Sequence, residues 1–67
     1  MNFRQLEVFV SIVKFHSFSK AAEELYLTQP TVSAHISALE EEMGVQLIVR
    51  STKAVYPSAA GAVLYEY

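Results

Sequence analysis

The chain lacks several features that would assign it to common classes of protein. Its 67 residues contain no cysteine and only two histidines, which have no grouped carboxylates beside them. Because zinc and similar metals are held mainly by thiolates, imidazoles and carboxylates, we expect no metal site. The lack of cysteine also agrees with a reducing compartment such as the cytoplasm.

Long apolar segments and catalytic motifs are missing as well. No apolar run approaches the ~20 residues that a membrane-spanning helix needs, and the N-terminus MNFRQLEVFV lacks the layout of a signal peptide. The sequence shows no Ser–His–Asp arrangement and no glycine-rich phosphate loop, and so short a chain leaves little room for a closed pocket. We therefore expect a cytoplasmic protein that is not an enzyme, binds no cofactor and contacts no membrane.

Positive charge is scarce. Five Lys and Arg residues against seven Asp and Glu residues give a net charge of −2 and a pI of about 5.5, whereas nucleic-acid-binding domains usually show a basic excess. Six of the seven acidic residues lie in helical segments, where they can face away from a ligand, while Arg50 and Lys53 stand close together. Charge alone therefore leaves two alternatives open, a DNA-binding domain and a protein-interaction module.

The segment from Thr28 to Gly44 predicts one helix with a marked start and a marked end. Thr28 is a favourable N-cap, Pro30 falls in the first turn, and Gly44 supplies the left-handed residue that commonly ends a helix. Apolar residues recur between them at helical spacing and predict one buried stripe, formed by Val32, Ile36, Leu39 and Met43.

The opposite face of this helix is small and uncharged for its first two turns. At about 100° per residue it carries Pro30, Ala34, Ser37 and Ala38, flanked by Gln29, Thr31 and Ser33. Such a face lets another surface approach the helix backbone and its positive dipole end. The pattern favours a recognition helix over residues 29–43; the alternative is a core helix whose small-residue face packs on another helix.

The remaining segments predict a small winged domain. Residues 3–16 form a first helix with one core stripe and a second stripe on nearly the opposite side: Phe3, Leu6, Phe9, Val10 and Val13, then Val8, Ile12 and Phe15. A short second helix, capped by Ser17 or Ser19, runs to about Leu25. This helix and the one after Thr28 form a helix-turn-helix. After Gly44, two β-prone runs flank a polar turn that carries Lys53, which predicts a hairpin.

The last segment predicts a helix that begins after Ser58. It has no stop signal, so we expect residues 58–67 to begin a truncated linker helix of a longer protein, and residues 1–57 to form the winged domain. Its small residues, Ala59, Ala60, Gly61 and Ala62, would allow a second helix to approach closely. We expect this helix to be a dimerisation element.

With these elements placed, the sequence resembles the N-terminal DNA-binding domain of the bacterial LysR-type transcriptional regulators. The resemblance rests on SFSKAAEELYLTQPTVSAHISALEEEMGVQLIVR (17–50) and on the later step formed by Ser58, Ala60 and Gly61. It implies a mainly α fold, with a three-helix core and a short two-stranded wing before the start of a linker helix. It also implies sequence-specific binding of double-stranded DNA. In the family the linker helix pairs two subunits, with higher oligomers for full-length proteins, and a C-terminal domain outside this sequence binds a small co-inducer.

The resemblance also implies which residues contact DNA. Those at the start of the recognition helix face the duplex: Thr28, Gln29, Pro30, Thr31 and Ser33. Arg50 and Lys53 hold phosphates or the minor groove from the wing, and Ala34 and Ser37 lie on the same exposed helix face. Ala34 stands where the family often has a basic or longer polar residue, which implies one contact fewer.

Each of these residues has a simpler structural interpretation. Gln29 could only occupy an exposed first turn, Ser33 and Ser37 could be small packing residues, and Arg50 and Lys53 could be solvated charges. We interpret Glu40 to Glu42 as a solvated helix end. Acids there are unfavourable for the helix dipole and would repel DNA, so we expect this end to point away from the duplex. His16 is interpreted as a helix-end residue and His35 as a packing or phosphate-proximal residue.

Overall fold

The computed structural model describes all of residues 1–67 and contains helices and one antiparallel hairpin. In chain order the elements are α1 (Phe3–Phe15), α2 (Phe18–Leu25), α3 (Gln29–Met43), β1 (Ile48–Arg50), β2 (Val55–Pro57) and α4 (Ala59–Glu66). The first three helices share one core, and the β1–β2 hairpin, here called the wing, follows α3. The predicted mainly α fold with a two-stranded wing is confirmed.

Every helix begins after a polar residue whose side-chain oxygen accepts a hydrogen bond from the backbone N–H three positions later. These N-caps are Asn2, Ser17, Thr28 and Ser58. Each cap satisfies one N–H group that the start of a helix leaves without a partner. As predicted, α3 ends at Gly44, whose φ of 72° lies in the left-handed region. His16 and Tyr26 end α1 and α2 with φ values of 53° and 57°, which favour glycine.

The core is a single cluster of buried apolar side chains from α1, α2, α3 and the start of the wing. Its members are Val8, Phe9, Ile12, Val13, Ala21, Ala22, Val32, Ile36, Leu39, Leu47 and Ile48. The small Ala21 and Ala22 let α2 lie close to its neighbours. Burying a side chain such as Phe9 or Ile36 contributes about 1.5–3 kcal/mol, so this cluster holds the three helices together.

The predicted assignment of faces on α1 was wrong. The apolar side chains that α1 buries come from both predicted stripes: Val8, Phe9, Ile12 and Val13. Phe3 is 79% exposed and Val10 is 42% exposed, although both were assigned to the core. Because α1 packs against both α2 and α3, the face that it buries is broader than one stripe. This face takes in part of each predicted stripe.

The exposed side of α1 borders the last helix across an open groove of about 550 Å³. Apolar side chains from α1, α2 and α4 line it, including Phe3, Leu6, Val10, Leu25, Leu64 and Tyr65. In the structure α4 lies beside the stripe that the prediction had placed in the core.

The buried stripe of α3 is one residue shorter than predicted. Val32, Ile36 and Leu39 are fully buried, but Met43 is 43% exposed. Met43 is the last helical residue, and the chain leaves the helix immediately after it at Gly44.

None of the four helices combines the length and the apolar character that crossing a bilayer requires.

The wing is a short antiparallel hairpin, as predicted. Arg50 pairs with Val55 next to the turn, and Ile48 pairs with Pro57 at the far end. The Ser51 hydroxyl accepts hydrogen bonds from the backbone N–H groups of Lys53 (3.3 Å) and Ala54 (3.0 Å), which closes the turn.

The last helix rests on the residues that lead into the wing. The Ser58 N–H donates to the Leu47 carbonyl (2.9 Å), and the Ser58 hydroxyl donates to the Gln46 carbonyl (2.6 Å). The same hydroxyl accepts from the Gly61 N–H at 3.0 Å. The cap of α4 is therefore tied to the residues that lead into the wing, and the same hydroxyl caps the first turn of the helix.

Candidate nucleic-acid interface

The N-terminal half of α3 presents a continuous exposed surface. Its exposed residues are Thr28, Gln29, Pro30, Thr31, Ala34, Ser37 and Ala38. Ser33 lies at the edge of this surface and is half-buried, as is His35. No acidic residue stands in the first turn of α3, so its free N–H groups and positive dipole end face solvent without a neutralising charge on the same turn.

The first residues of this surface differ in whether their side chains already make hydrogen bonds within the chain. Thr28 is committed to capping, because its Oγ1 accepts from the Thr31 N–H (3.3 Å) and lies 2.9 Å from the Thr31 hydroxyl. Gln29 makes no hydrogen bond within the chain, so both its amide N–H₂ and its carbonyl oxygen are available. Pro30 follows it in the first turn and restricts the backbone conformation of Gln29.

Arg50 is the last residue of β1, next to the turn of the wing, and its side chain contacts α3. Its Nη2 donates to the Ser33 hydroxyl at 3.0 Å, and its guanidinium carbon lies 4.1 Å from the centre of the Phe18 ring. The structure therefore brings together Arg50 of the wing and Ser33 of α3. The sequence predicted both as DNA contacts but did not predict that they touch each other. Lys53 lies in the exposed turn of the wing and is in neither of the ion pairs of the structure.

The interpretation of Glu40 as a solvated helix end was wrong. Its Oε2 accepts hydrogen bonds from the backbone N–H groups of Leu47 (2.7 Å) and Ile48 (3.0 Å). This one carboxylate oxygen therefore fixes the turn between α3 and β1 by accepting from two successive N–H groups. Glu41 and Glu42 are exposed, as interpreted.

His16 occupies a helix end, as its position in the sequence predicted. It is the left-handed residue after α1, and its Nδ1 lies 3.1 Å from the Val55 carbonyl oxygen in β2. The ring therefore links the end of α1 to the wing. No group of three or more His, Asp or Glu side chains lies together where a metal ion could be held.

Comparison with known proteins assigns this arrangement to a family. Residues 3–62 match the family described as "Bacterial regulatory helix-turn-helix protein, lysR family". The chain belongs to the lysR family. The resemblance predicted from residues 17–50 and from Ser58, Ala60 and Gly61 is confirmed, and the match also includes α1 and the second strand of the wing.

Individual relatives in the lysR family align over the whole chain. The chain is 43% identical over 67 residues to the nitrogen assimilation regulatory protein nac of Escherichia coli (strain K12). It is 42% identical over 67 residues to the HTH-type transcriptional regulator BenM of Acinetobacter baylyi. It covers 22% of either protein, so it spans about a fifth of the length of these relatives.

Two solved lysR-family structures have the same fold. A crystal structure described as a BenM_DBD/catB site 1 DNA complex has a TM-score of 0.95 at 42% identity, covering 100% of this chain and 75% of that one. A CbnR_DBD–DNA complex has a TM-score of 0.93 at 35% identity, covering 98% of this chain and 76% of that one. The agreement extends over the three-helix core, the wing and α4.

Proposed function

We propose that this chain is the DNA-binding part of a LysR-type transcriptional regulator, with α3 in the major groove of double-stranded DNA. The observation that carries the proposal is the uncharged, exposed N-terminal half of α3 with the Arg50 guanidinium beside it. A helix of this shape fits the major groove of B-DNA. The two similar structures whose descriptions name DNA support the same assignment.

The proposed contacts divide into two groups. Side chains on the exposed face of α3 meet base edges and the adjoining backbone: Thr28, Gln29, Pro30, Thr31, Ser33, Ala34 and Ser37. Arg50 and Lys53 supply the positive charge that phosphates require, despite the overall net charge of −2. The exposed acids Glu41 and Glu42 lie at the other end of α3, where they do not oppose the approach of DNA.

The proposal includes the organisation of the parent protein. Residues 1–57 form the winged helix-turn-helix domain, and residues 58–67 belong to a linker helix that pairs two copies. In this proposal the co-inducer binds elsewhere in the longer regulator, which acts in the cytoplasm, and the chain carries no catalytic step.

Exposed apolar residues on α4 support the pairing of two copies. Val63 is 70% exposed on this helix, which borders the groove beside α1. Val63→Asp should therefore reduce self-association in sedimentation equilibrium, whereas Glu66→Gln on the same helix should not.

The DNA-binding proposal is tested by fluorescence anisotropy of a labelled mixed-sequence duplex titrated with the chain at several salt concentrations. Binding should weaken as the salt concentration rises. The slope of log affinity against log salt concentration should be about −0.9 for each phosphate neutralised. A chain that binds no duplex even at low salt, yet self-associates, would instead be a protein-interaction module.

A further inference from the structure

The recognition helix carries neither lysine nor arginine. Between Gln29 and Met43 the only side chains with a formal charge are the three glutamates near its C-terminal end. Arg50 touches this helix, but on its wing side, where Nη2 donates to the Ser33 hydroxyl at 3.0 Å. Guanine is read in the major groove mainly by lysine and arginine, which donate to its O6 and N7. The middle of α3 therefore offers neither of these side chains to a guanine.

Ala34 lies at the centre of the exposed face of α3. At about 100° per residue, its side chain points almost directly away from Val32 and Ile36, which are fully buried. That side chain is a single exposed methyl group with no donor and no acceptor. Pro30 is exposed one turn earlier on the same face, and its ring is likewise all hydrocarbon. The first two turns of α3 thus present a small apolar surface at their centre.

Two of the hydroxyl groups beside this apolar surface are engaged within the chain. The Thr31 hydroxyl lies 2.9 Å from that of Thr28, and the Ser33 oxygen accepts from Arg50. Ser37 is exposed one turn further on, but a serine hydroxyl pairs with more than one base. The centre of the face is therefore left to read bases by apolar contact. On the base edges of the major groove, the apolar group is the methyl on C5 of thymine.

We propose that Ala34 is a specificity-determining residue that reads the C5 methyl group of a pyrimidine in the major groove, with Pro30 completing the apolar contact. This inference rests on the proposed DNA binding and makes it more specific. Thymine carries this methyl group and so does 5-methylcytosine, whereas uracil and unmodified cytosine lack it. The chain therefore prefers a T·A pair at the position that Ala34 contacts. Its affinity for a C·G pair at that position rises when the cytosine is methylated.

The test replaces single thymines by uracil in a duplex selected from a random pool, one position at a time, and measures the affinity of the wild-type chain by competition. Uracil keeps every hydrogen-bonding group of thymine and lacks only the methyl group. At one position the replacement should weaken binding about fourfold, the loss expected for one buried methyl group. At the same position, a duplex with 5-methylcytosine should bind about fourfold more tightly than one with cytosine.

Variants of α3 assign the methyl contact to one residue. Ala34→Gly removes the contacting methyl group, so it should bind the thymine and uracil duplexes equally well. Ala38→Gly is the matched control, because it is exposed one turn later and carries the same helix-propensity cost, and it should keep the fourfold ratio. The ratio of two affinities of one variant does not depend on the fraction of that variant that is folded. Ala34→Arg should select guanine from the pool where the wild-type chain selects thymine.

The outcomes distinguish the inference from the proposed function. If the wild-type chain binds duplex DNA but no replacement of thymine by uracil changes its affinity, methyl reading is disproved and DNA binding stands. If one position is sensitive but Ala34→Gly keeps the fourfold ratio there, or Ala38→Gly loses it equally, the role of Ala34 is disproved. If the wild-type chain binds no duplex, both the function and the methyl contact are wrong.

Discussion

Gly61 lies so close to the carbonyl group of Leu47 that this point of α4 has no room for a side chain. A methyl group at Gly61 would overlap the Leu47 oxygen and stand 3.3 Å from the Pro57 Cβ. The obstacle is mainly backbone, which cannot move aside as the end of a flexible side chain can. Glycine is therefore required here by a close approach of two segments.

Gly61→Ala should lower the free energy of unfolding by about 1–3 kcal/mol, the usual cost of overpacking. Without the close approach, the same change inside a helix would raise stability by about 0.5–1 kcal/mol. Urea unfolding followed by circular dichroism measures the difference, and Ala62→Gly at the exposed neighbouring position gives the propensity effect alone. A more stable Gly61→Ala variant would show that α4 can shift away from Leu47.

Glu40→Ala should lower the free energy of unfolding by about 1.5–3 kcal/mol, because two N–H groups at the start of the wing lose their charged acceptor. Glu41→Ala is the matched control in the same helix turn and should change stability by less than about 0.5 kcal/mol. Urea unfolding of both variants compares them. Equal effects would mean that water replaces the Glu40 carboxylate without cost.

Tyr26→Asn should raise the free energy of unfolding by about 0.5–1 kcal/mol. Tyr26 is 95% exposed and has a φ of 57°, so it contributes strain and almost no packing, whereas asparagine tolerates this conformation. His16→Asn is the comparison, since that side chain also gives up its contact with the Val55 carbonyl and should gain less. Thermal unfolding of the two variants ranks them, and the opposite order would contradict the strain argument.

Gln29→Ala should reduce the binding free energy by about 1–3 kcal/mol on the preferred DNA site and by much less on random duplex. The dependence of DNA affinity on salt concentration should stay unchanged. The free amide of Gln29 can pair with adenine N6 and N7, and it carries no charge for phosphates. Competition binding on a site selected from a random pool measures both losses. Gln29→Glu removes the donor while keeping the shape and should lose at least as much. Equal losses on both duplexes would assign Gln29 to backbone contact.

Ala34→Arg should raise affinity for duplex DNA generally, because position 34 is exposed on the proposed contact face and arginine suits a helix. The salt slope should steepen by about one unit if the new side chain reaches a phosphate. Ala62→Arg adds the same charge on α4, away from this face, and should have a smaller effect. A folded Ala34→Arg variant that binds no better would place position 34 away from DNA.

The parts of the fold that sequence predicted correctly are those encoded over a few residues. Thr28, Gly44 and Ser58 act within their own helix turns, and a hairpin follows from β-prone runs on either side of a polar turn. The faces of α1 were assigned wrongly because that helix is apolar on two sides. Periodicity then gives the spacing of the stripes but not the direction of the core.

The contacts that organise the candidate site could not be found in the same way. Glu40 reaches N–H groups seven and eight residues later, and Arg50 meets a serine 17 residues earlier. Residue type and local spacing do not predict such pairs, because these contacts depend on how the wing folds back on α3. The sequence therefore identified Arg50 as a candidate contact but not its placement against Phe18.

In the proposed complex with DNA, the hydrogen bonds of Glu40 would affect how the duplex is distorted. Because Glu40 ties the start of the wing to α3, and Arg50 joins the turn end of the wing to the same helix, we expect the two contact elements to move as one body. Any mismatch between their fixed spacing and the groove geometry of straight B-DNA must be absorbed by the duplex. Elastic energy of the DNA then enters the affinity, so base steps that bend easily are favoured even where no side chain touches them.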